Sequence, residues 1–275
     1  MIRFESESGN PAVIAETRGY GIYLDNDSIS ELATGRASRR ERFVDALLAK
    51  GTLLFSWANA IEVSSARDVR TFLDSIGPCW VPLELNPWKV AKREAAGLTE
   101  QAVVSNSFMQ AYFEDRAHDL SQGSPVLDLS SETFFRLGAV VEWVHEHRDK
   151  IRADATRIDD ALRERLATLS AEYERNPASL NQALPPAQFT EQAPATFVLV
   201  QLQRLLIQEA KQYHFKRHDG LDLCHAVLAA AYGSLVALDR HWKRRVLALP
   251  EAAKLARTYY RAEIDDLVAM LETLP

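Results

Sequence analysis

The sequence predicts an α/β fold: a parallel sheet flanked by helices and interrupted by a large helical insertion. Short apolar strands alternate with amphipathic helices from residue 20 to residue 85. The alternation lapses from about residue 86 to 210, where the chain is almost wholly helical by period, and it resumes from residue 221 to the end. Strands that alternate with helices pair in parallel and are covered on both faces.

Each element follows from its residues. Tyr20–Leu24 (YGIYL) is apolar and aromatic and ends in Asp25-Asn26-Asp27-Ser28, a strand running through an acidic turn into a helix bearing Ile29, Leu32 and Ala33. Arg39–Lys50 places Phe43, Leu47 and Leu48 on one helical face, and Gly51 ends that helix as a C′ residue would. Thr52–Ser56 is a strand, Trp57–Ser64 a short helix carrying Glu62, and Ser65–Ile76 a further helix. Cys79–Leu83 is a strand whose Pro82 implies an edge or an early strand end.

Ser105–Leu120 is helical. Ser131–Arg175 contains one glycine and no proline, and its apolar residues recur every three, four or seven positions, so it forms one long helix or two nearly collinear ones. Asn176–Pro194 holds Pro177, Pro185, Pro186 and Pro194 and is a loop or hinge. Ala195–Gln212 returns to helix. Leu221–Tyr232 is a helix, Ser234–Leu238 a strand, Asp239–Leu249 a helix, Arg257–Tyr260 a last strand and Glu263–Leu274 a closing helix. The expected organisation is a discontinuous domain over 19–85 and 213–275, with a helical insertion over 86–212 that contains the Pro-rich loop 176–194.

Composition narrows the class. The chain has 275 residues, 47% apolar and 25% charged, with 11 glycines and 11 prolines, which excludes a disordered or collagen-like chain. No apolar run approaches the ~18 residues of a membrane span, and MIRFESESGN lacks the apolar core of a secretory signal. Two cysteines make no disulfide scaffold and fit a reducing cytoplasm. The net charge of −6 argues against a passive nucleic-acid coat. It leaves room for an enzyme that concentrates carboxylates around a metal.

Ligands of open parallel sheets bind beyond the carboxyl ends of the strands. Asp25 follows the first strand, Glu62 lies on the helix after the second, Asp222 is in the helix before SLVAL, and Asp239 follows that strand. Each has an ordinary use as a helix cap; the group together suggests a site. These segments resemble PIN-domain nucleases: YLDNDSISEL the first acidic motif, FSWANAIEV the second, and HDGLDLCHAVLAAAYGSLVALDRHWKRRV the third, with Asp222 and His225 as the Asp-x-x-His pair and Asp239 as the closing acid. ARTYYRAEIDDLVAMLETL resembles the family's last strand and helix. Ala237 stands where members often carry a small hydroxyl residue, and the insertion is larger than in compact members.

The resemblance implies a Mg²⁺- or Mn²⁺-dependent endoribonuclease that leaves a 5′-phosphate. Asp25 and Asp239 would be the central ligands, Glu62 and Asp222 would complete the ring, and Asp27 and Asp219 stand in reserve. Oxygen-only ligands suit these hard cations. Arg217, His218, Arg240, His241 and Lys243, with Lys211 and Lys216 upstream and Arg244 and Arg245 downstream, could hold RNA phosphates. Trp57 and Trp242 could stack on bases or pack in the core. Arg39, Arg40 and Arg42 form a further basic cluster.

By analogy the role is a toxin-like or antiviral defence effector, cytoplasmic, with no membrane partner; the insertion is expected to select substrate or to engage a homo-oligomeric or regulatory partner, unless its apolar stripe simply packs on the sheet. The alternatives are a structure-specific DNA nuclease, whose arch the insertion would imitate, and a catalytically degenerate scaffold. Glu142 and His145 have the i, i+3 spacing of a di-iron site, but no second copy of the pair accompanies them. Neither a P-loop, a GxSxG elbow nor paired CxxC motifs occur.

Overall fold

The computed structural model describes residues 2–7, 10–98, 103–121, 136–210, 215–216 and 218–275. An N-terminal antiparallel hairpin, β1 (Ile2–Glu7) and β2 (Asn10–Ala15), lies outside the main sheet and was not among the expected elements. The main sheet has five strands, all parallel: β3 (Tyr20–Leu24), β4 (Gly51–Phe55), β5 (Trp80–Pro82), β6 (Leu235–Ala237) and β7 (Arg257–Tyr259). Their order is β5-β4-β3-β6-β7, so Pro82 does lie on an edge strand. The chain builds outward from β3 in one direction, then returns to build outward in the other. The junction of β3 and β6 is therefore the switch point, where a crevice opens at the carboxyl ends of the strands.

Strands β3 to β6 are almost wholly apolar because both their faces are buried, whereas the edge strand β7 begins with the exposed Arg257. Ile22, Leu24, Leu53, Phe55, Trp80, Leu235 and Ala237 join one core. The alternate residues Tyr23, Leu54, Val81 and Val236 join the other. This two-residue alternation fixes the register, because a slip by one would exchange the cores.

The first face is covered by α1 (Asn26–Thr34), α2 (Ala37–Lys50), α3 (Trp57–Val63), α4 (Arg67–Ser75) and the closing helix Ile264–Thr273. Between β5 and β6 come α5 (Pro87–Ala95), α6 (Asn106–Ser121), α7 (Leu137–Glu146), α8 (Arg148–Arg175), the short α9 (Ser179–Ala183) and α10 (Pro194–Glu209). Then follow α11 (Asp219–Tyr232), α12 (Arg240–Leu247) and, after β7, α13 (Ile264–Thr273).

Segment 86–212 is helical as expected, but its helices share the cores of the sheet. Leu137, Val140, Val141 and Val144 of α7 enter the first core, and Phe197, Val198, Leu202 and Leu206 of α10 enter the second. Each such side chain adds roughly 1.5–3 kcal/mol, so the apolar stripe is spent on the sheet's flanks. The long helical run breaks at His147, which joins α7 to α8; residues 131–135 of that run lie outside the described residues.

Gly51 ends α2 as expected; it stands at the C-cap, and with φ −134° and ψ 179° it is extended and already the first residue of β4. Space explains the glycine: a Cβ there would stand 3.0 Å from the Tyr20 carbonyl oxygen. Among the described residues no helix is long and apolar enough to cross a membrane.

Candidate active site

Two aspartates meet at the switch point. The Asp25 amide donates to the Ala237 carbonyl at 3.0 Å, which carries the β3–β6 ladder one bond past the strand ends. Asp25 is the N-cap of α1, its Oδ1 accepting the Ser28 amide at 2.8 Å. Asp239 is the N-cap of α12, its Oδ1 accepting the amides of His241 and Trp242 at 2.7 and 2.8 Å. Capping and site chemistry are thus not rival uses. The cap engages one oxygen of each carboxylate and fixes its plane, while the carboxylate also borders a cavity.

That cavity, of about 170 Å³, is lined by Asp25, Asp27, Glu62, Asp222 and Asp239 together with Tyr23, Asn26, His225 and Trp242. All four acids singled out in the sequence therefore come together from four separate segments. Asp27 joins them. Asp219 does not line the cavity; its carboxylate accepts the Lys216 amide and closes the turn before α11.

The assembly is electrostatically loaded. Burial, then the charges of Asp239, Glu62, Asp219 and Asp159, push the Asp222 carboxyl up to about 8. Burial also raises Asp25 to about 6, with Asp27 and Asp239 adding to the rise and hydrogen bonding to Ser28 opposing it. Glu62 is raised by burial and by Asp27, against the opposing effects of Asn26 and His218.

Sequence reasoning missed the polar chain beneath these acids. Asn26 Nδ2 donates to Glu62 Oε2, and Asn59 Nδ2 donates to Asn26 Oδ1 at 3.0 Å. Ser56 Oγ donates to Asn59 Oδ1 at 2.8 Å within the capping box that starts α3. The Ser56 proton is thereby committed, so His225 Nε2, 2.8 Å from Ser56 Oγ, is the donor of that contact. Burial holds the His225 imidazole neutral, down to about 4. His225 thus packs under the site as a neutral donor. The Ser-x-x-Asn spacing at 56–59 was the available signal for this chain.

Two larger cavities share walls with the acidic one. A cavity of about 580 Å³ includes Glu62 and Asp222 and adds Arg152, Thr156 and His218. One of about 530 Å³ includes Asp25, Asp27 and Asp239 and adds Arg39, Arg240 and Arg261. The three adjoin through the acids they share and form a trough with an all-acidic middle; its outer parts add arginines, Arg152 on one side and Arg39, Arg240 and Arg261 on the other, beside Asp159 and Glu31 respectively. Arg39 and Arg261 are both paired with Glu31, whereas Arg240 is exposed and has no ion pair among the described residues.

The other basic residues divide sharply. Lys243 is half-buried, paired with Glu263 and set 5.2 Å over the Tyr260 ring, and it lines none of the three cavities. His241 is exposed, gives its amide to the Asp239 cap, and also lines none of them. Arg245 is buried against Glu209. Arg42 pairs with Glu272, and Arg40 donates to the Ala33 carbonyl. Arg217 and Lys211 lie outside the described residues. Trp242 is buried, and Trp57 borders a separate cavity beside α6 and α8. His147 packs on Trp143 with ring centroids 4.9 Å apart and the rings tilted by 35°.

The donors present are hard oxygens, the set that Mg²⁺ and Mn²⁺ prefer, and their mutual repulsion is what a cation relieves. The carboxylates ring the cavity rather than converge: among the described residues, no three acidic, histidine or cysteine side chains already enclose a point where an ion would sit. Comparison of the chain with protein-family models, curated proteins and solved structures returns no match.

Proposed function

We propose that this chain is a PIN-like, divalent-metal-dependent endoribonuclease whose centre is the cavity bounded by Asp25, Glu62, Asp222 and Asp239. The observation that carries the reading is the trough: four carboxylates from four segments at a sheet switch point, flanked on both sides by cavities that bear cations. Such an arrangement suits a phosphodiester strand laid across the acids.

Asp25 and Asp239, each with its plane fixed by a cap, would hold the cation from the two central strands. Glu62, steadied by Asn26, and Asp222 would complete its surround. Mg²⁺ or Mn²⁺ bound there supplies polarisation of a phosphoryl oxygen and acidification of water. His218 and Arg240, on opposite sides of the acids, hold the phosphates that flank the cleaved one. Water attacks the phosphorus in line, the P–O3′ bond breaks, and a 5′-phosphate and a 3′-hydroxyl remain.

The test is cleavage of labelled single-stranded RNA, single-stranded DNA and flap DNA, with Mn²⁺, Mg²⁺ or EDTA, beside Asp25→Asn. Metal-dependent RNA cleavage that disappears in the variant is the expected result. Cleavage of DNA alone would keep the site and remove the RNA assignment. A wild-type protein that cuts none of the three with either metal would overturn the reading.

A further inference from the structure

The cavity of about 580 Å³ lies between the acids and the inserted helix α8, whose Arg152, Ala155, Thr156 and Asp159 line it. Spacings of three, one and three place these residues on one helical face. The volume is that of a small-ligand cleft, which runs about 300–1,000 Å³. Arg152 is exposed and has no ion pair among the described residues. His218, on the same cavity, holds φ 79°, a left-handed conformation rare for a residue with a side chain. Such strain persists only where the surroundings impose it. Here Asp159 does so, its Oδ2 accepting the His218 amide at 3.1 Å.

We infer that this cavity is a substrate subsite built by the insertion, in which Arg152 and His218 hold the backbone of a single RNA strand on one side of the scissile phosphate. The inference rests on the nuclease reading and extends it: segment 86–212 is a wall of the active site and supplies a phosphate-binding residue. Arg152 is the only cation on the α8 face of this cavity among the described residues, and it shares the cavity with Glu62 and Asp222. The opposite face of α8 carries Arg157, which is paired with Asp154 at 2.8 Å and borders a different cavity.

That opposition supplies the control. Binding of a fluorescein-labelled single-stranded oligouridylate is measured by anisotropy in EDTA across a salt series, for wild type, Arg152→Ala and Arg157→Ala. Removing one phosphate contact reduces the slope of log K against log salt by about 0.7 for a single strand. The expected result is about tenfold weaker binding and that reduced slope for Arg152→Ala, with Arg157→Ala matching wild type. Equal losses in both variants, or none in Arg152→Ala, would overturn the subsite while leaving metal-dependent cleavage by wild type intact. A wild type that neither binds nor cuts RNA would overturn the nuclease reading and the subsite with it.

Discussion

The Asp159 carboxylate, in the inserted helix α8, accepts the Gly220 amide at 2.9 Å. It also accepts the amides of His218 at 3.1 Å and Leu221 at 3.3 Å. Helix α11, which carries Asp222, thus receives its cap from another segment, because its own N-cap residue His218 supplies no side-chain bond. Gly220 permits the approach: a Cβ there would stand 2.8 Å from Asp159 Oδ1 and 3.0 Å from Leu162 Cβ. Gly220→Ala must push α8 and α11 apart at about 1–3 kcal/mol. Asp159→Ala strands the helix amides at about 2–4 kcal/mol. Urea midpoints should fall in both variants at unchanged m-value; wild-type midpoints would show that α8 merely lies beside α11.

The caps at Asp25 and Asp239 separate stability from chemistry. Asparagine caps a helix about as well as aspartate, so Asp239→Asn should melt within about 0.5 kcal/mol of wild type, and Asp25→Asn, which keeps the cap and removes a carboxylate that burial raises to about 6, should melt no lower than wild type and higher above pH 6. Alanine at either position loses the cap and about 1 kcal/mol. Both asparagine variants lose a negative oxygen at the cavity, and metal-dependent RNA cleavage should fall by at least about a hundredfold. Full activity in both would remove these residues from the reaction.

The sheet and its acids were readable because strand periodicity and strand-end carboxylates are local signals. YGIYL, TLLFS and SLVAL needed only their own residues to be identified, and the parallel sheet places their ends side by side. The contacts between segments were not local. Nothing around Asp159 marks it as the cap of a helix sixty residues away. Glu94, whose carboxylate accepts the amides of Ala195 and Thr196 and the Tyr232 hydroxyl, looks like an ordinary surface residue of α5. The same limit explains Lys243: its position near Asp239 in sequence suggested the site, while its partner Glu263 comes from beyond β7.

Metal and proton should compete at the acids, and the sign is set by Asp222. Its carboxyl titrates at about 8 in the folded protein, against about 3.9 in an unfolded chain. The folded state therefore holds the extra proton, and stability falls as pH rises from about 4 to 8. Asp25 and Glu62 act in the same direction. Melting in EDTA should show this decline, and Asp222→Asn should flatten it and melt several degrees higher at pH 8. Mn²⁺ should raise the wild-type midpoint more at pH 8 than at pH 5, because at the lower pH it must displace protons. An Asp222→Asn profile parallel to wild type would contradict the assigned burial and crowding.

His225, one turn along α11 from Asp222, has the opposite dependence. Its imidazole titrates at about 4 when folded because burial disfavours the charge, against about 6.5 unfolded. The unfolded state then takes up the proton first, so this contribution is complete above pH 6.5 and is lost as pH falls from there to about 4. It is worth up to about 3 kcal/mol. Between those limits it offsets about one proton of the carboxylates' slope, and Asp222, Asp25 and Glu62 together still outweigh it, so wild-type stability falls with pH more gently below about 6.5 than the carboxylates alone would make it. Glutamine can keep the donor to Ser56 Oγ without titrating in this range. His225→Gln should therefore steepen the decline between about pH 4 and 6.5 by about one proton, whatever uniform offset the smaller side chain introduces. A slope of wild-type steepness in His225→Gln over that range would mean that His225 is not buried neutral beneath the acids.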